Sequence, residues 1–162
     1  MCALPANASI RPYRRSNPQY PLEVDPVAKM SPAQAAFLAL PNIAHFITLR
    51  ADGSPHSVPV WYEFVDGRFY VFTPATSLKM RNLARDPRLT LSIASSEQPY
   101  AYVVADGVAE IVRGDIMERA VAIASRYERS DGGVPYIEKL RARFDVALIA
   151  MTPTKSREWI SG

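Results

Sequence analysis

The sequence predicts a mainly-β fold with some helix: six or seven antiparallel strands in a closed or half-closed barrel, with helices at the crossings. Three observations carry this expectation. Short runs rich in β-formers recur along the chain, and Asp-Gly steps at Asp52-Gly53 and Asp66-Gly67 punctuate the first of them. Helical spacing appears between strands but never alternates regularly with them, which argues against a parallel doubly wound sheet. A chain of 162 residues fits one domain with a substantial core.

Residues 1–30 carry Pro5, Pro12, Pro18, Pro21 and Pro26, with Arg11, Arg14 and Arg15 between them. Proline removes backbone donors and disfavours helix in the residue before it, so this arm is expected to be extended or partly disordered. Tyr13 and Tyr20 offer it two anchors. The domain proper is placed at residues 31–162. It opens with a short helix in "SPAQAAFLAL", Ser31 capping and Pro32 at the first position.

Strands follow. "NIAHFITLR" is apolar and β-rich, and the Asp52-Gly53 turn leads into "HSVPVWYEFV". Asp66-Gly67 then turns that strand into "RFYVFT", giving a meander. Pro59 inside the second strand argues for an edge, a bulge or a backbone that faces a ligand. A helix in "TPATSLKMRNLARDPR" separates these strands from "RLTLSIA" and "YAYVVADGVAEIV". "GDIMERAVAIASRYER" has helical spacing, with Ile116, Ala120, Ile123 and Tyr127 on one face and Asp115 with Glu118 as a capping box. A short helix in "PYIEKLRARF" leads to two strands, "DVALIAMTP" and "KSREWI".

Composition narrows the function. The net charge is +3 and no basic run is dense, so a small anionic ligand fits better than nucleic acid. The single cysteine, Cys2, allows no intrachain disulfide and no Cys-based metal site. No signal-peptide core and no bilayer-length apolar run are present, and a cytoplasmic protein is expected without membrane partners. Neither a Gly-x-Gly-x-x-Gly nor a Walker-type loop occurs, and two histidines are too few for a histidine-based metal cluster.

The stretch from Thr73 to Arg88 is the most informative. It gathers Lys79, Arg81, Arg85 and Arg88 around a Thr-Ser step that reads as a helix start. Thr76 or Ser77 can cap the helix, leaving other first-turn N–H groups to form an anion seat at the positive end of the dipole. His45 reads as a core or interface residue. His56, just past the Asp-Gly turn, reads more readily as a strand residue than as a cofactor contact. Asp52, Asp66 and Asp106 each precede a glycine and are explained by turns. Ser54, Ser57 and Ser77 lack a Gly-x-Ser-x-Gly context. Trp61 and Tyr62 alternate in one strand, so only one of them can enter the core. Strand aromatics such as Trp61, Tyr100 and Tyr102 exceed what a small barrel buries, which points to a homodimer. No self-sufficient catalytic constellation is visible, so no catalytic residue is named and the chemistry is assigned to a bound cofactor.

"FITLRADGSPHSVPVWYEFVDGRFYVFT" followed by "TSLKMRNLARDPRLTLSIAS" resembles the pyridoxamine 5'-phosphate oxidase-like split β-barrel superfamily, the FMN-binding-like fold. More narrowly it resembles the flavin- and deazaflavin-dependent branch that includes actinobacterial coenzyme F420-dependent reductases. The resemblance runs from Pro32 to Trp159 and is strongest in "DGSP" and "SLKMRNLARDPR". It implies a homodimer with a cofactor in each of two clefts between the chains. It places the phosphate grip on Ser77, Lys79, Arg81 and Asn82, and the ring on the strand from Ser57 through Val58, Pro59, Val60 and Trp61. Oxidases of this kind that use FMN typically carry an arginine on the second strand, and "HSVPVWY" has none. That departure favours coenzyme F420 (deazaflavin) over FMN. The implied activity is hydride transfer between the cofactor and a conjugated small-molecule acceptor. The other classes it admits are an FMN-dependent enzyme and a non-catalytic flavin-, deazaflavin- or haem-binding protein.

Overall fold

Ser31 opens the first helix as its residue types dictate. Its hydroxyl accepts from the Gln34 N–H at 3.1 Å, while Gln34 Oε1 accepts from the Ser31 N–H at 2.8 Å, a complete capping box. The computed structural model describes residues 29–129 and 132–160. The predicted arm lies outside the described residues apart from its last two, of which Met30 packs against the core. The elements are α1 (Pro32–Leu38), β1 (Ala44–Leu49), β2 (Pro55–Val60), β3 (Glu63–Val65), β4 (Arg68–Pro74), α2 (Leu78–Arg85), β5 (Arg88–Ala94), β6 (Ala101–Ile111), α3 (Met117–Tyr127), α4 (Gly133–Arg141) and β7 (Val146–Ile160).

All seven strands form one antiparallel sheet in the order β2-β1-β5-β6-β7-β4-β3. β2 and β3 stand at opposite ends of that order, yet only Trp61 and Tyr62 separate them in the chain. Three Cα steps reach at most about 11 Å. Seven flat strands would put the two edges roughly 29 Å apart. The sheet must therefore curl until its edges meet, and the half-closed barrel follows from connectivity alone. The expected single strand "HSVPVWYEFV" is corrected here: it breaks at Trp61-Tyr62, its first part pairing with β1 and its last part with β4.

Both Asp-Gly hairpins form. Gly53 has φ 82, and Asp66 and Gly67 have φ 52 and 73, the left-handed pair that a two-residue hairpin requires. The two strands expected at the C-terminus are one long β7. The expected break falls at a register shift: Asp106 pairs with Lys155 and Gly107 with Pro153, leaving Thr154 as the extra residue of a bulge. A side chain at Gly107 would meet the Thr152 carbonyl oxygen at 2.2 Å, so only glycine lets β6 pass there.

The barrel interior is filled by alternate strand residues, among them Phe46, Phe69, Leu91, Ile93 and Val103, all essentially inaccessible to solvent. α1 contributes Phe37 and Leu38 to this core, and α2 contributes Met80 and Leu83. Tyr62 is fully buried, with its hydroxyl donating to the Leu38 carbonyl at 3.1 Å. Trp61 points the other way, into a second cluster with Phe72, Tyr136, Ala120 and Ile137 under the α3–α4 pair. The alternation expected of these two aromatics holds, and the outward one is covered by helices.

Two local expectations need correction. Asp115 and Glu118 form no capping box: α3 has Ile116 at its N-cap with no side-chain cap, and Asp115 Oδ1 instead accepts from the Met117 N–H at 2.9 Å. Of the two places expected for His45, core or interface, the barrel core is ruled out: it is exposed, because its parity on β1 places it with Ile47 on the outer face.

Candidate functional site

The cations of the Thr73–Arg88 stretch divide into two groups. Arg85 donates to the Leu49 carbonyl at 2.6 Å, fastening α2 to β1. Arg88 forks onto Asp86, with Nε and Nη2 at 3.0 and 2.6 Å from its two oxygens, and holds that carboxyl below its usual range. The remaining two, Lys79 and Arg81, stand at the helix start. Arg81 is exposed, and no hydrogen bond or ion pair engages its guanidinium among the described residues.

Ser77 is the N-cap of α2 by its extended backbone (φ −64, ψ 156), but its hydroxyl caps nothing. It accepts instead from Thr73 Oγ1 at 3.2 Å. Thr73, buried at the end of β4, in turn accepts from Lys79 Nζ at 2.9 Å. The N–H groups of Leu78, Lys79 and Met80 thus have no partner among the described residues, and no acidic residue lies in the first turn. Burial of the ammonium away from water holds the Lys79 pKa below the lysine range. Three free amides, a hydroxyl, a half-buried ammonium and an exposed guanidinium make a donor set whose chemistry suits a phosphate.

Asn82 does not join that set. It is 1% exposed, its Nδ2 donates to Thr48 Oγ1 at 2.9 Å, and its Oδ1 accepts from Arg85 at 3.3 Å. Both ends of the amide are spent on seating α2 against β1. Asn82 therefore positions the helix start from behind.

β2, the strand on which the ring was expected, is an edge strand of the sheet. Pro59 has no N–H, so its pair with His45 cannot exchange hydrogen bonds, and alternation makes Thr48–His56, Phe46–Val58 and Ala44–Val60 the bonded pairs. The Arg50 N–H donating to the Ser54 carbonyl at 2.9 Å fits that phase. The backbones of Val58 and Val60 are thus engaged by β1, and their side chains pack on the core. The free edge presents the Ser57 N–H and the carbonyls of Ser57 and Pro59, while the Pro55 carbonyl accepts from Arg50 at 2.6 Å. Trp61 follows this edge, stacked on Tyr127 with ring centres 5.2 Å apart and 2° between the planes. Its ring is committed to the helices.

One residue escaped the sequence reading. Thr73 is the hinge between Ser77 and Lys79, and its signal was the Thr-x-x-x-Ser-x-Lys spacing. Ser57, already placed by the resemblance on the ring-bearing strand, offers the lone β2 edge N–H, a fact legible in the Pro55/Pro59 phase.

The model of the family described as pyridoxamine 5'-phosphate oxidase matches residues 30–160. No curated protein sequence is similar enough to count as a relative. Among solved structures, the conserved hypothetical protein Rv2991 from Mycobacterium tuberculosis is 28% identical, with a TM-score of 0.67 over 82% of this chain and 86% of that one. A haem-binding protein from Mycobacterium smegmatis is 26% identical, with a TM-score of 0.60 over 82% of this chain and 55% of that one. A structure described as an F420 reductase has a TM-score of 0.60 over 75% of this chain and 94% of that one; at 22% identity it supports the fold.

Proposed function

This chain belongs to the pyridoxamine 5'-phosphate oxidase family, and from that premise we propose that it is an oxidoreductase that binds coenzyme F420. The observation that carries the reading is the α2 start, which has no capping side chain and gathers Ser77, Lys79, Arg81 and three free amides within one helical turn and a residue. These groups would hold the cofactor phosphate, and the β2 edge at Ser57 and Pro59 would hold the ring through backbone groups. When bound, the deazaflavin supplies a hydride donor or acceptor carbon. The protein's share is to bind and orient the ring, to keep water from it and to present a conjugated small-molecule acceptor. No side chain is assigned as proton donor. The lack of an arginine on β2 supports F420 over FMN, which remains the alternative cofactor.

We also infer a homodimer. Tyr100 and Trp159 are exposed at 51% and 60%, and Tyr102 pairs with Trp159 on the outer sheet face, an area of aromatic surface that a second copy would cover. No helix among the described residues is long and apolar enough to cross a membrane.

The test is turnover. The protein should reoxidise reduced F420 in the presence of a quinone acceptor, followed by recovery of deazaflavin absorbance, and should sediment as a dimer under the same conditions. Reoxidation at the uncatalysed rate would reject the enzyme. A second reading, a haem carrier, is favoured by the likeness to the haem-binding protein. It requires a Soret shift on adding haemin, with no turnover of F420.

A further inference from the structure

We propose that Met117 is an oxidation site for hydroperoxides, and that the Arg141 guanidinium receives the added oxygen and keeps α3 on α4 once the sulfoxide has formed. The inference is independent of the cofactor reading and concerns a different part of the molecule.

Met117 is the first residue of α3 and Arg141 the last of α4. Arg141 Nη1 donates to the Met117 sulfur at 3.0 Å. A thioether sulfur is a weak acceptor. Asp115 and Asp145 line the same cavity of about 510 Å³, yet among the described residues no ion pair joins either of them to Arg141. The guanidinium is thus aimed at the sulfur although carboxylates stand near.

The Met117 side chain lies at a boundary. On one side it packs against Ala120, Ala124 and Ile137, the cluster that also takes Trp61 and Phe72. On the other it lines the cavity beside the exposed Arg141, and it is itself half-buried. The remaining methionines of the described residues belong to the barrel core: Met80 and Met151 are 6% and 1% exposed, and Met30 packs against the same core. Methionine oxidation follows access of the oxidant to sulfur. A small hydroperoxide entering the cavity therefore meets Met117 first.

In the step itself, a sulfur lone pair attacks one oxygen of hydrogen peroxide. The S–O bond forms as the O–O bond breaks, and the departing hydroxide takes the proton of the transferred oxygen and leaves as water. The thioether loses two electrons and the peroxide gains them. The product is the first, reversible stage of methionine oxidation; a sulfoxide reductase restores the thioether while two thiols become a disulfide and the oxygen leaves as water. An added oxygen in an apolar cluster is costly unless it is hydrogen-bonded. Here the donor is already in place, and its partner changes from a weak acceptor to a strong one, with the charge on the donor strengthening the new bond.

The experiment treats the full chain with hydrogen peroxide and reads sulfoxide residue by residue in peptide mass spectra. Met117 should oxidise at least about tenfold faster than Met80 and Met151. Thermal unfolding is then compared before and after treatment for the wild type, Arg141→Leu and Met117→Leu, the last giving the contribution of the other methionines. With that contribution subtracted, the wild type should lose less than about 2 °C, and Arg141→Leu at least about 3 °C more, the effect of one charge-assisted hydrogen bond. Nitrogen-15 NMR of the wild type gives a reading that needs no variant: the Arg141 guanidinium protons should move downfield on oxidation, as oxygen replaces sulfur for the acceptor. Oxidation of Met117 no faster than of Met80 and Met151 would overturn the site. Equal losses of Tm in the wild type and Arg141→Leu, or guanidinium protons that do not move, would overturn the role of Arg141.

Discussion

Replacing Lys79 by alanine should weaken binding of phosphate-bearing flavin or deazaflavin about ten- to a hundredfold. A charge-assisted hydrogen bond contributes roughly 1.5–3 kcal/mol, and each ~1.4 kcal/mol is a factor of ten in affinity. Folding should not suffer. Among the described residues Lys79 pairs with no carboxylate; its ammonium rests on the Thr73 hydroxyl in a half-buried place that penalises the charge. A base whose folded pKa is depressed destabilises the folded state while it stays charged, and that penalty fades as pH rises through the lysine range. Lys79→Ala should therefore melt at or slightly above the wild-type temperature in the absence of ligand, while losing affinity. Such opposition of stability and binding is what a group held ready for a ligand produces. Arg129→Ala, a cation beyond the end of α3, should leave affinity unchanged. If Lys79→Ala binds FMN and F420 as tightly as wild type, the basic helix start is only a solvated surface.

The largest effect on stability is expected at Trp61. Its ring stacks on Tyr127 at 5.2 Å, meets Tyr136 at 4.8 Å and touches Phe72 edge-on at 6.3 Å, joining α3 and α4 to the outer face of the barrel. Truncation of a large aromatic in such a cluster costs about 3 kcal/mol. For a domain of this size that lowers Tm by roughly 6–12 °C. Tyr127 should share the loss, because its hydroxyl also donates to the Asn42 carbonyl at 2.9 Å and accepts from the Tyr62 N–H at 3.3 Å. The Trp61→Ala and Tyr127→Ala effects should accordingly fall short of additivity in the double variant. A Trp61→Ala protein with unchanged Tm and weakened cofactor binding would instead make the indole a ring-binding surface.

These two residues also mark how far the sequence could be read. The helix start before Lys79 was legible because everything that defines it is local: a cap residue at Ser77 and a helical run after it. Pro59 was legible for the same reason, since a missing N–H forbids a paired position on both sides of a strand. The Asp-Gly hairpins announced themselves through their need for left-handed backbone. What stayed hidden depends on partners distant in the chain. The break at Trp61-Tyr62 cannot be seen in an unbroken run of β-formers, because it is imposed by where β1 and β4 lie. Asn82 shares a helix face with Lys79 by spacing, yet Thr48, 34 residues away, claims its amide. His45 looks like a core residue in an apolar strand until the phase of β1 is known. The long β7 looked like two strands because its bulge carries the Thr-Pro-Thr residues that elsewhere end a strand.

The most direct test of the phosphate seat is one titration of the ligand-free protein with F420, FMN and riboflavin in parallel, read by fluorescence. The expected result is tightest binding of F420, measurable binding of FMN, and riboflavin at least about tenfold weaker than FMN, the loss of one charge-assisted contact or more. Equal affinity for FMN and riboflavin would mean that the helix start at Ser77 and Lys79 reads no phosphate, and would contradict the site proposed for this protein.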